Sequence, residues 1–204
     1  MNLLYSIFIG LFAFTQAKGV SVENTVQVQV YYETLCPYSI AFIIKQLYPV
    51  YQDLHEDINL ELVPWGHASE EILANGTKNF TCQHGPDECY GNKIHSCALN
   101  LTDVETSTAF IACSEGGNSP TDDSTFEQCA DTVGISWADI EECISTGKGN
   151  ELLSENGKKT AVVNPAGVPM IVIDGLWTDE IEDQALTDFR SLVCALIENS
   201  KCIN

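Results

Sequence analysis

The chain has 204 residues, and its 9 Lys and Arg against 29 Asp and Glu give a formal net charge of −20 at pH 7. So acidic a surface repels nucleic acid and anionic membranes, which excludes both as expected partners. The length suits one domain with a sizeable hydrophobic core.

The N-terminal residues predict a secretory signal peptide. Residues 3–14 are almost purely apolar, and Thr15-Gln16-Ala17 follows them with the small residues typical of a cleavage site. The apolar run is too short to span a bilayer, so we predict a signal peptide over residues 1–17, no membrane anchor, and a single domain over residues 18–204. Sequons in such a chain predict surface glycosylation. They begin at Asn75, Asn79 and Asn100.

The first part of the domain predicts a β-α-β unit. Residues 26–32 alternate and are rich in β-branched side chains, which favours a strand. Pro37 then suits the first turn of a helix, and residues 40–54 have helical apolar spacing. Residues 58–64 alternate again, so two parallel strands joined by a helical crossover are expected.

The pattern changes from about residue 68 to 164, where we predict a helical, Cys-rich insertion. It includes helix-like stretches at residues 103–113 and 124–131, separated by Gly-rich loops. Residues 168–175 predict a strand that ends in an Asp-Gly hairpin turn, with residues 176–178 as the partner strand. An apolar stripe over residues 179–198 predicts a final helix.

Cys36 is the candidate nucleophile. It stands between the first strand and the first helix, where unpaired N–H groups and the helix dipole favour a thiolate. Strand–Cys–Pro–helix is also the place where thioredoxin-like proteins carry their attacking sulfur. The nine cysteines support this assignment, because an odd count in a disulfide framework leaves one thiol over.

Ser39 occupies the position of a second, resolving cysteine. Its hydroxyl can hydrogen-bond the Cys36 thiolate, so we assign both residues a catalytic role, but it cannot attack a mixed disulfide. Val168-Pro169 matches a thioredoxin-fold loop in which the proline is cis, faces the active cysteine and leaves the preceding backbone groups open to a substrate strand. We assign substrate binding to Pro37, Tyr38, Val168 and Pro169.

The segment from Cys82 to Cys97 has the spacing C-Q-H-G-x2-E-C-x2-N-x4-C. With this signature the chain resembles the gamma-interferon-inducible lysosomal thiol reductase family. The eight fixed positions are Cys82, Gln83, His84, Gly85, Glu88, Cys89, Asn92 and Cys97. The resemblance implies a thioredoxin-like α/β fold with a helical insertion, and reduction of substrate protein disulfides at acidic pH. It also implies a lysosomal or extracellular location.

We expect the remaining eight cysteines to form structural disulfides, whose pairing the sequence does not determine. They are Cys82, Cys89, Cys97, Cys113, Cys129, Cys143, Cys194 and Cys202. A zinc site is the alternative for Cys82, His84, Cys89, His95 and Cys97. An oxidising compartment favours disulfides, so we predict no metal and no cofactor, with His84 and His95 as structural hydrogen-bonding residues apart from Cys36.

The chain departs from the family at Ser39, because enzymatic members carry Cys-x-x-Cys. Three functions remain open: a weak monothiol reductase resolved by an external small thiol, an isomerase or trap that holds clients covalently, and a redox-inactive secreted protein that binds partners beside Pro169. Disulfide-containing proteins are the expected partners, with a small-thiol reductant for the first function.

Overall fold

A computed structural model describes residues 25–202, so the predicted signal peptide lies outside the described residues. The strands are β1 (Val26–Tyr32), β2 (Ile58–Pro64), β3 (Ser69–Ile72), β4 (Lys78–Thr81) and β5 (Met170–Ile173). The helices are α1 (Pro37–Phe42), α2 (Tyr48–Leu54), α3 (Pro86–Leu101), α4 (Val104–Glu115), α5 (Asp123–Val133), α6 (Trp137–Ser145), α7 (Lys148–Val163) and α8 (Asp179–Cys194). A π-helical segment (Ile43–Leu47) joins α1 to α2, and short 3-10 turns cover His55–Asp57 and Ser200–Cys202.

The central sheet has the strand order β2-β1-β5. β1 pairs with β2 in parallel, from Val26 opposite Ile58 to Tyr32 opposite Pro64. β5 lies antiparallel on the other side of β1. The β-α-β prediction is confirmed, and both of its strands have the predicted bounds.

The crossover helix runs over the predicted region but is not regular throughout. A π-helical segment separates α1 from α2, and Pro49 lies in the first turn of α2. Because Pro49 has no N–H to donate, the regular i to i−4 hydrogen-bond ladder cannot pass through it, and the π-helical segment lies where that ladder is broken. The apolar spacing of the sequence predicts the helix but not this irregularity.

The main core lies between the sheet and the helices. Alternate residues of β1 (Val28, Val30 and Tyr32) are buried in it, as the alternating sequence predicts. Phe42 of α1 contacts Phe189 of α8 edge to face, with ring centroids 5.5 Å apart. The other face of the sheet has a small second cluster, formed by Tyr31, Val63, Met170 and Val172.

The helices α3 to α7 lie between β4 and β5 along the chain, and disulfides connect them. Cys97–Cys143 joins α3 to α6, and Cys113–Cys129 joins α4 to α5. Cys82–Cys89 closes the loop before α3, and Cys194–Cys202 ties the end of α8 to the last 3-10 turn. The predicted disulfide framework and helical insertion are therefore both present.

Two sequence predictions need correction. Residues 176–178 do not form a partner strand, because after the Asp174-Gly175 turn only Leu176 makes an isolated bridge, to Ile173. The β3–β4 hairpin was not predicted, since every residue of β3 is exposed and the strand has no alternation between apolar and polar side chains. Within residues 25–202, we find no helix with the length and apolarity needed to cross a membrane.

Candidate active site

Cys36 lies at the junction between β1 and α1, the position that the sequence predicts. Its backbone is extended, with φ −72° and ψ 118°, and it is the N-cap of α1, which begins at Pro37. A helix N-terminus has unpaired N–H groups and a partial positive charge, and both stabilise an anion such as a thiolate. The junction therefore gives this sulfur the electrostatic setting of a nucleophile.

Cys36 is the free cysteine of the described residues. The other eight form the four disulfides described above. The Cys36 residue is only 6% exposed, whereas Tyr38, two residues later, is 74% exposed. A substrate disulfide must therefore approach the sulfur closely along the protein surface, past Pro37 and Tyr38.

The Val168–Pro169 loop closes one side of the site. The peptide bond between these residues is cis, and the Val168 carbonyl accepts a hydrogen bond from the Cys36 thiol over 3.5 Å. The sequence prediction left both backbone groups of Val168 open to a substrate strand, and this contact corrects it for the carbonyl. An incoming peptide that pairs with Val168 displaces the thiol from that oxygen.

Ser39 is fully buried, and its contacts differ from the sequence prediction. Its hydroxyl accepts a hydrogen bond from the backbone N–H of Glu33 over 3.4 Å. Within the part of the chain that the structure describes, no hydrogen bond joins it to Cys36. The buried N–H of Glu33 needs an acceptor, and Ser39 supplies it, so this residue has a structural part in the Cys36 loop.

The signature segment supports the loop that precedes Cys36. Asn92 accepts a hydrogen bond from the backbone N–H of Thr34 over 3.1 Å, and the Thr34 hydroxyl donates to the Glu88 carbonyl over 3.1 Å. Thr34, Glu88 and Asn92 are all buried. Two fixed positions of the signature thus hold the backbone two residues from the reactive sulfur.

A second part of the signature forms a histidine–carboxylate cluster beside that loop. His84 Nδ1 lies 2.5 Å from one Glu88 oxygen, and the other accepts the His84 backbone N–H over 3.1 Å. Glu33 lies on the far side, with Oε2 3.6 Å from His84 Nδ1. Burial raises the pKa of the Glu33 carboxyl, opposed by the hydrogen bond from the His67 backbone N–H, and repulsion from Glu88 raises it further.

Glu115, at the end of α4, is a further buried carboxyl. Neither of its oxygens has a hydrogen-bond partner among the described residues, and the nearer lies 3.9 Å from His95 Nδ1. Burial raises the pKa of Glu115 well above its usual value, and repulsion from Cys36 and Glu88 adds to the effect. The side chain is therefore a neutral carboxylic acid in acidic solution.

His95 joins Glu115 to the end of β1. Its Nδ1 lies 3.0 Å from the Tyr32 hydroxyl and its Nε2 lies 2.9 Å from the Ser114 hydroxyl. Burial lowers the pKa of His95 to about 3, so the ring is neutral and each nitrogen pairs with a hydroxyl. The predicted hydrogen-bonding role of this histidine agrees with the geometry.

The sequence prediction set His84 and His95 apart from Cys36, and the structure corrects this. His84 contacts Glu33 and Glu88 beside the Cys36 loop, and His95 contacts Tyr32 in the strand that leads to it. The available signal was the spacing of four residues from His84 to Glu88 to Asn92, which places polar side chains on one face of a helix. Glu33 and Glu115 gave no signal of their own.

The predicted glycosylation sites Asn75, Asn79 and Asn100 are all exposed in the structure. Asn75 lies in the turn between β3 and β4, and Asn79 lies in β4. Cys82, Cys89 and Cys97, which the zinc alternative would need, have their sulfurs in disulfides.

Comparison with known proteins identifies the family of the chain. The profile described as "Gamma interferon inducible lysosomal thiol reductase (GILT)" matches residues 27–133, which include the Cys36 site and the signature segment. The chain belongs to the GILT family. A second profile, the DSBA-like thioredoxin domain, matches residues 96–189, so the two profiles together cover most of the described residues.

Relatives with curated descriptions extend over most of this GILT-family chain. The Gamma-interferon-inducible lysosomal thiol reductase of Carassius auratus is 34% identical over 185 residues, which cover 87% of this chain and 71% of the relative. GILT-like protein 2 of Drosophila melanogaster is 35% identical over 170 residues, which cover 82% of this chain and 78% of the relative.

Solved structures resemble the fold of this family member. DsbA from Mycobacterium tuberculosis in its reduced form aligns with a TM-score of 0.58 at 15% identity, covering 93% of this chain and 90% of that one. The thiol-disulfide exchange protein alpha-DsbA2 from Wolbachia pipientis aligns with a TM-score of 0.56 at 14% identity, covering 84% and 82%. These similarities confirm the predicted thioredoxin-like α/β fold. Family and fold together support a thiol–disulfide oxidoreductase-like function, with protein disulfides as the implied substrates.

Proposed function

We propose that this GILT-family chain exchanges protein disulfides through Cys36 alone, as a monothiol that an external small thiol regenerates. The observation that carries the proposal is the position of Cys36: a free thiol at a helix N-terminus, 3.5 Å from the carbonyl that precedes a cis proline. Ser39, three residues later, supplies an oxygen where the dithiol members of the family have a second sulfur.

The proposed reaction has two exchange steps that balance without a cofactor. The Cys36 thiolate attacks one sulfur of a client disulfide, forms a mixed disulfide with it and releases the other client sulfur as a thiolate, which takes a proton from water. A small-thiol anion then attacks the Cys36 sulfur, frees the second client thiol and leaves Cys36 joined to the small thiol. A second small thiol restores Cys36 and leaves as a small-thiol disulfide.

A groove beside the site suits an extended client segment. It has a volume of about 420 Å³, adjoins the Val168–Pro169 loop, and has Met170 and Trp177 as apolar lining residues. Asp179 and Glu182 lie at its edge, so the groove is apolar with an acidic border. Tyr38 stands exposed next to Cys36 and provides a further apolar contact for the client.

We further propose that the chain enters the secretory pathway through a signal peptide over residues 1–17 and works in an acidic or extracellular compartment. The names of the GILT relatives, which include the word lysosomal, support this location. The exposure of Asn75, Asn79 and Asn100 supports their glycosylation. N-terminal sequencing of the secreted protein and a mobility shift after glycosidase treatment test both points.

Turnover of a disulfide-bonded protein substrate, with and without a small thiol, tests the proposed activity. We expect slow multiple turnover that requires the small thiol in the natural chain, and background rates in Cys36→Ser. If Cys36→Ser leaves the rate unchanged, the enzymatic proposal is wrong. If the natural chain stays at background while Ser39→Cys is active, the fold is competent but the monothiol route is not used, and client binding without redox chemistry is the remaining function.

A further inference from the structure

Glu33, His84 and Glu88 form a compact group of donors outside the sulfur chemistry. One atom of each, two carboxylate oxygens and the imidazole Nδ1, lie within 4.8 Å of one another. The side chains of Glu33 and Glu88 are 0% exposed, and that of His84 is 35% exposed. Three chain segments converge here: the end of β1, the signature loop and the first turn of α3.

The hydrogen bonds of the described residues do not satisfy this group. Glu33 Oε1 accepts the backbone N–H of His67, but Glu33 Oε2 is buried and has no hydrogen-bond partner among the described residues. A buried carboxylate oxygen without a partner is costly, and a second carboxylate beside it makes the local charge more negative. His84 alone already pairs closely with Glu88. The unpartnered oxygen points to a missing positive ligand.

The distances suit a small divalent ion. Zinc bonds of about 2.0–2.2 Å to nitrogen and oxygen place tetrahedral ligand atoms about 3.4 Å apart. The separation of 3.6 Å between His84 Nδ1 and Glu33 Oε2 is close to that value. The 2.5 Å contact between His84 and Glu88 must lengthen by about 1 Å to give the same edge, and the partly exposed imidazole is free to move outward.

We propose that Glu33, His84 and Glu88 bind a divalent transition-metal ion, for which Zn²⁺ is the probe. One imidazole nitrogen and two carboxylate oxygens form a donor set that zinc accepts, whereas Mg²⁺ and Ca²⁺ prefer oxygen alone. This site differs from the cysteine-containing set that the sequence suggested, because Glu33 replaces all of its sulfurs. A water completes the coordination.

The proposed site is directly connected to the reactive loop through Glu33. The Glu33 carbonyl accepts the Cys36 backbone N–H over 3.3 Å, and its N–H donates to Ser39. Metal bound by the Glu33 side chain therefore fixes the loop that carries the thiol. The inference does not depend on the proposed monothiol chemistry, since its ligands and its test do not involve the sulfur.

Zinc titration of the full chain with its disulfides intact tests the site. Cys36 is first alkylated so that its sulfur cannot bind metal, and binding is then followed calorimetrically at neutral pH in a non-chelating buffer. We expect one ion per chain, and affinity at least about 100-fold lower in both His84→Gln and Glu88→Gln. His55→Gln is the matched control, because the His55 side chain is 36% exposed and also lies beside a glutamate.

Three outcomes would overturn the proposal: no stoichiometric binding to the natural chain, unchanged binding in His84→Gln, or equal weakening in His55→Gln. Thermal melting without metal is measured for every variant. If Glu88→Gln is unfolded, His84→Gln decides the question, because its side chain is partly exposed and its removal leaves the core intact. Retained binding in His55→Gln with loss in His84→Gln supports the site.

Discussion

Ser39 determines what happens after Cys36 has attacked. Its oxygen lies buried in the first turn of α1 and is hydrogen-bonded to Glu33, so it is held within the loop and cannot release a mixed disulfide. A covalent client intermediate should therefore persist until a small thiol arrives.

Replacing Ser39 by cysteine should remove this intermediate. When the chain is mixed with a disulfide-bonded client and quenched with acid, we expect a covalent adduct on a non-reducing gel for the natural chain and at least about tenfold less for Ser39→Cys, whose second thiol attacks Cys36. Ser39→Ala is the control and should retain the adduct. Equal adduct in Ser39→Cys would show that the new sulfur cannot reach Cys36.

Glu115 links the site to pH. Its pKa is raised in the folded chain, so the group favours folding below its ordinary value near 4.5, and that contribution is lost as pH rises through the folded value. The groups that face it are His95, which burial keeps neutral, and the anionic forms of Cys36 and Glu88, which oppose its ionisation.

Glu115→Gln should therefore gain stability relative to the natural chain as pH rises. Glutamine keeps the shape of the neutral acid and does not ionise, so the difference in unfolding free energy should shift in favour of the variant by up to about 1.4 kcal/mol per pH unit above pH 4.5. Urea unfolding at pH 4.5, 6 and 7.5 measures it. Comparing the two chains at each pH cancels the repulsion among surface carboxylates. A difference that does not change with pH would contradict the assignment.

At the scale of elements, the end of β2 shapes the Cys36 loop through Gly66. This glycine has φ +59°, and a Cβ added to it would lie 2.2 Å from Glu33 Cγ. The close approach allows the His67 N–H to reach the Glu33 carboxylate. The parallel pair β1–β2 therefore positions not only the two strands but also the acid beside the thiol.

Gly66→Ala should destabilise the chain much more than Gly76→Ala. Both glycines have positive φ, so both variants carry a backbone cost of about 1 kcal/mol, but nothing lies within 4 Å of a Cβ at Gly76. Displacing Glu33 from its buried hydrogen bond should add about 1–3 kcal/mol for Gly66→Ala alone. Urea midpoints of the two variants give the comparison, and equal midpoints would refute the packing argument.

Periodicity predicted the elements wherever one face of an element is buried. β1 and β2 have the predicted bounds because their alternating apolar residues lie in the core. The hairpin of β3 and β4 has no such face, and the strand expected after Gly175 is reduced to one bridge because the chain enters α8 at Asp179.

The same distinction applies to the site. Cys36, Pro37 and Ser39 are neighbours in sequence, so a single local motif predicts their arrangement. Glu33, Glu88 and Glu115 come from the loop after β1, the start of α3 and the end of α4, and only the folded chain brings these carboxyls to one place. Local pattern contains no information about contacts between such distant segments.

At the scale of the whole molecule, the disulfides stabilise the chain unequally. Cys97–Cys143 spans 46 residues and joins α3 to α6, whereas Cys194–Cys202 spans only 8. The loss of loop entropy in the unfolded chain predicts stabilisation by about 4 kcal/mol for the first and about 2.5 kcal/mol for the second.

Paired alanine substitutions measure this difference. We expect Cys97→Ala/Cys143→Ala to lower the unfolding free energy by at least about 1 kcal/mol more than Cys194→Ala/Cys202→Ala, because the former also removes buried sulfur from the core. Denaturant unfolding of both double variants in oxidising buffer tests the order. The reverse order would mean that the C-terminal turn matters more to folding than the bridge between α3 and α6.

The single thiol among four disulfides has a consequence for the lifetime of the protein. A nucleophilic sulfur can attack bridges in its own chain or in a neighbouring copy, and repeated exchange would scramble and polymerise the population. Burial restrains both routes, since Cys36 is 6% exposed and Cys82, Cys89, Cys97, Cys129 and Cys143 are each no more than 8% exposed. A thiol reagent that reacts with foreign disulfides can in this way coexist with its own, and the chain should remain monomeric and correctly paired through long storage at high concentration.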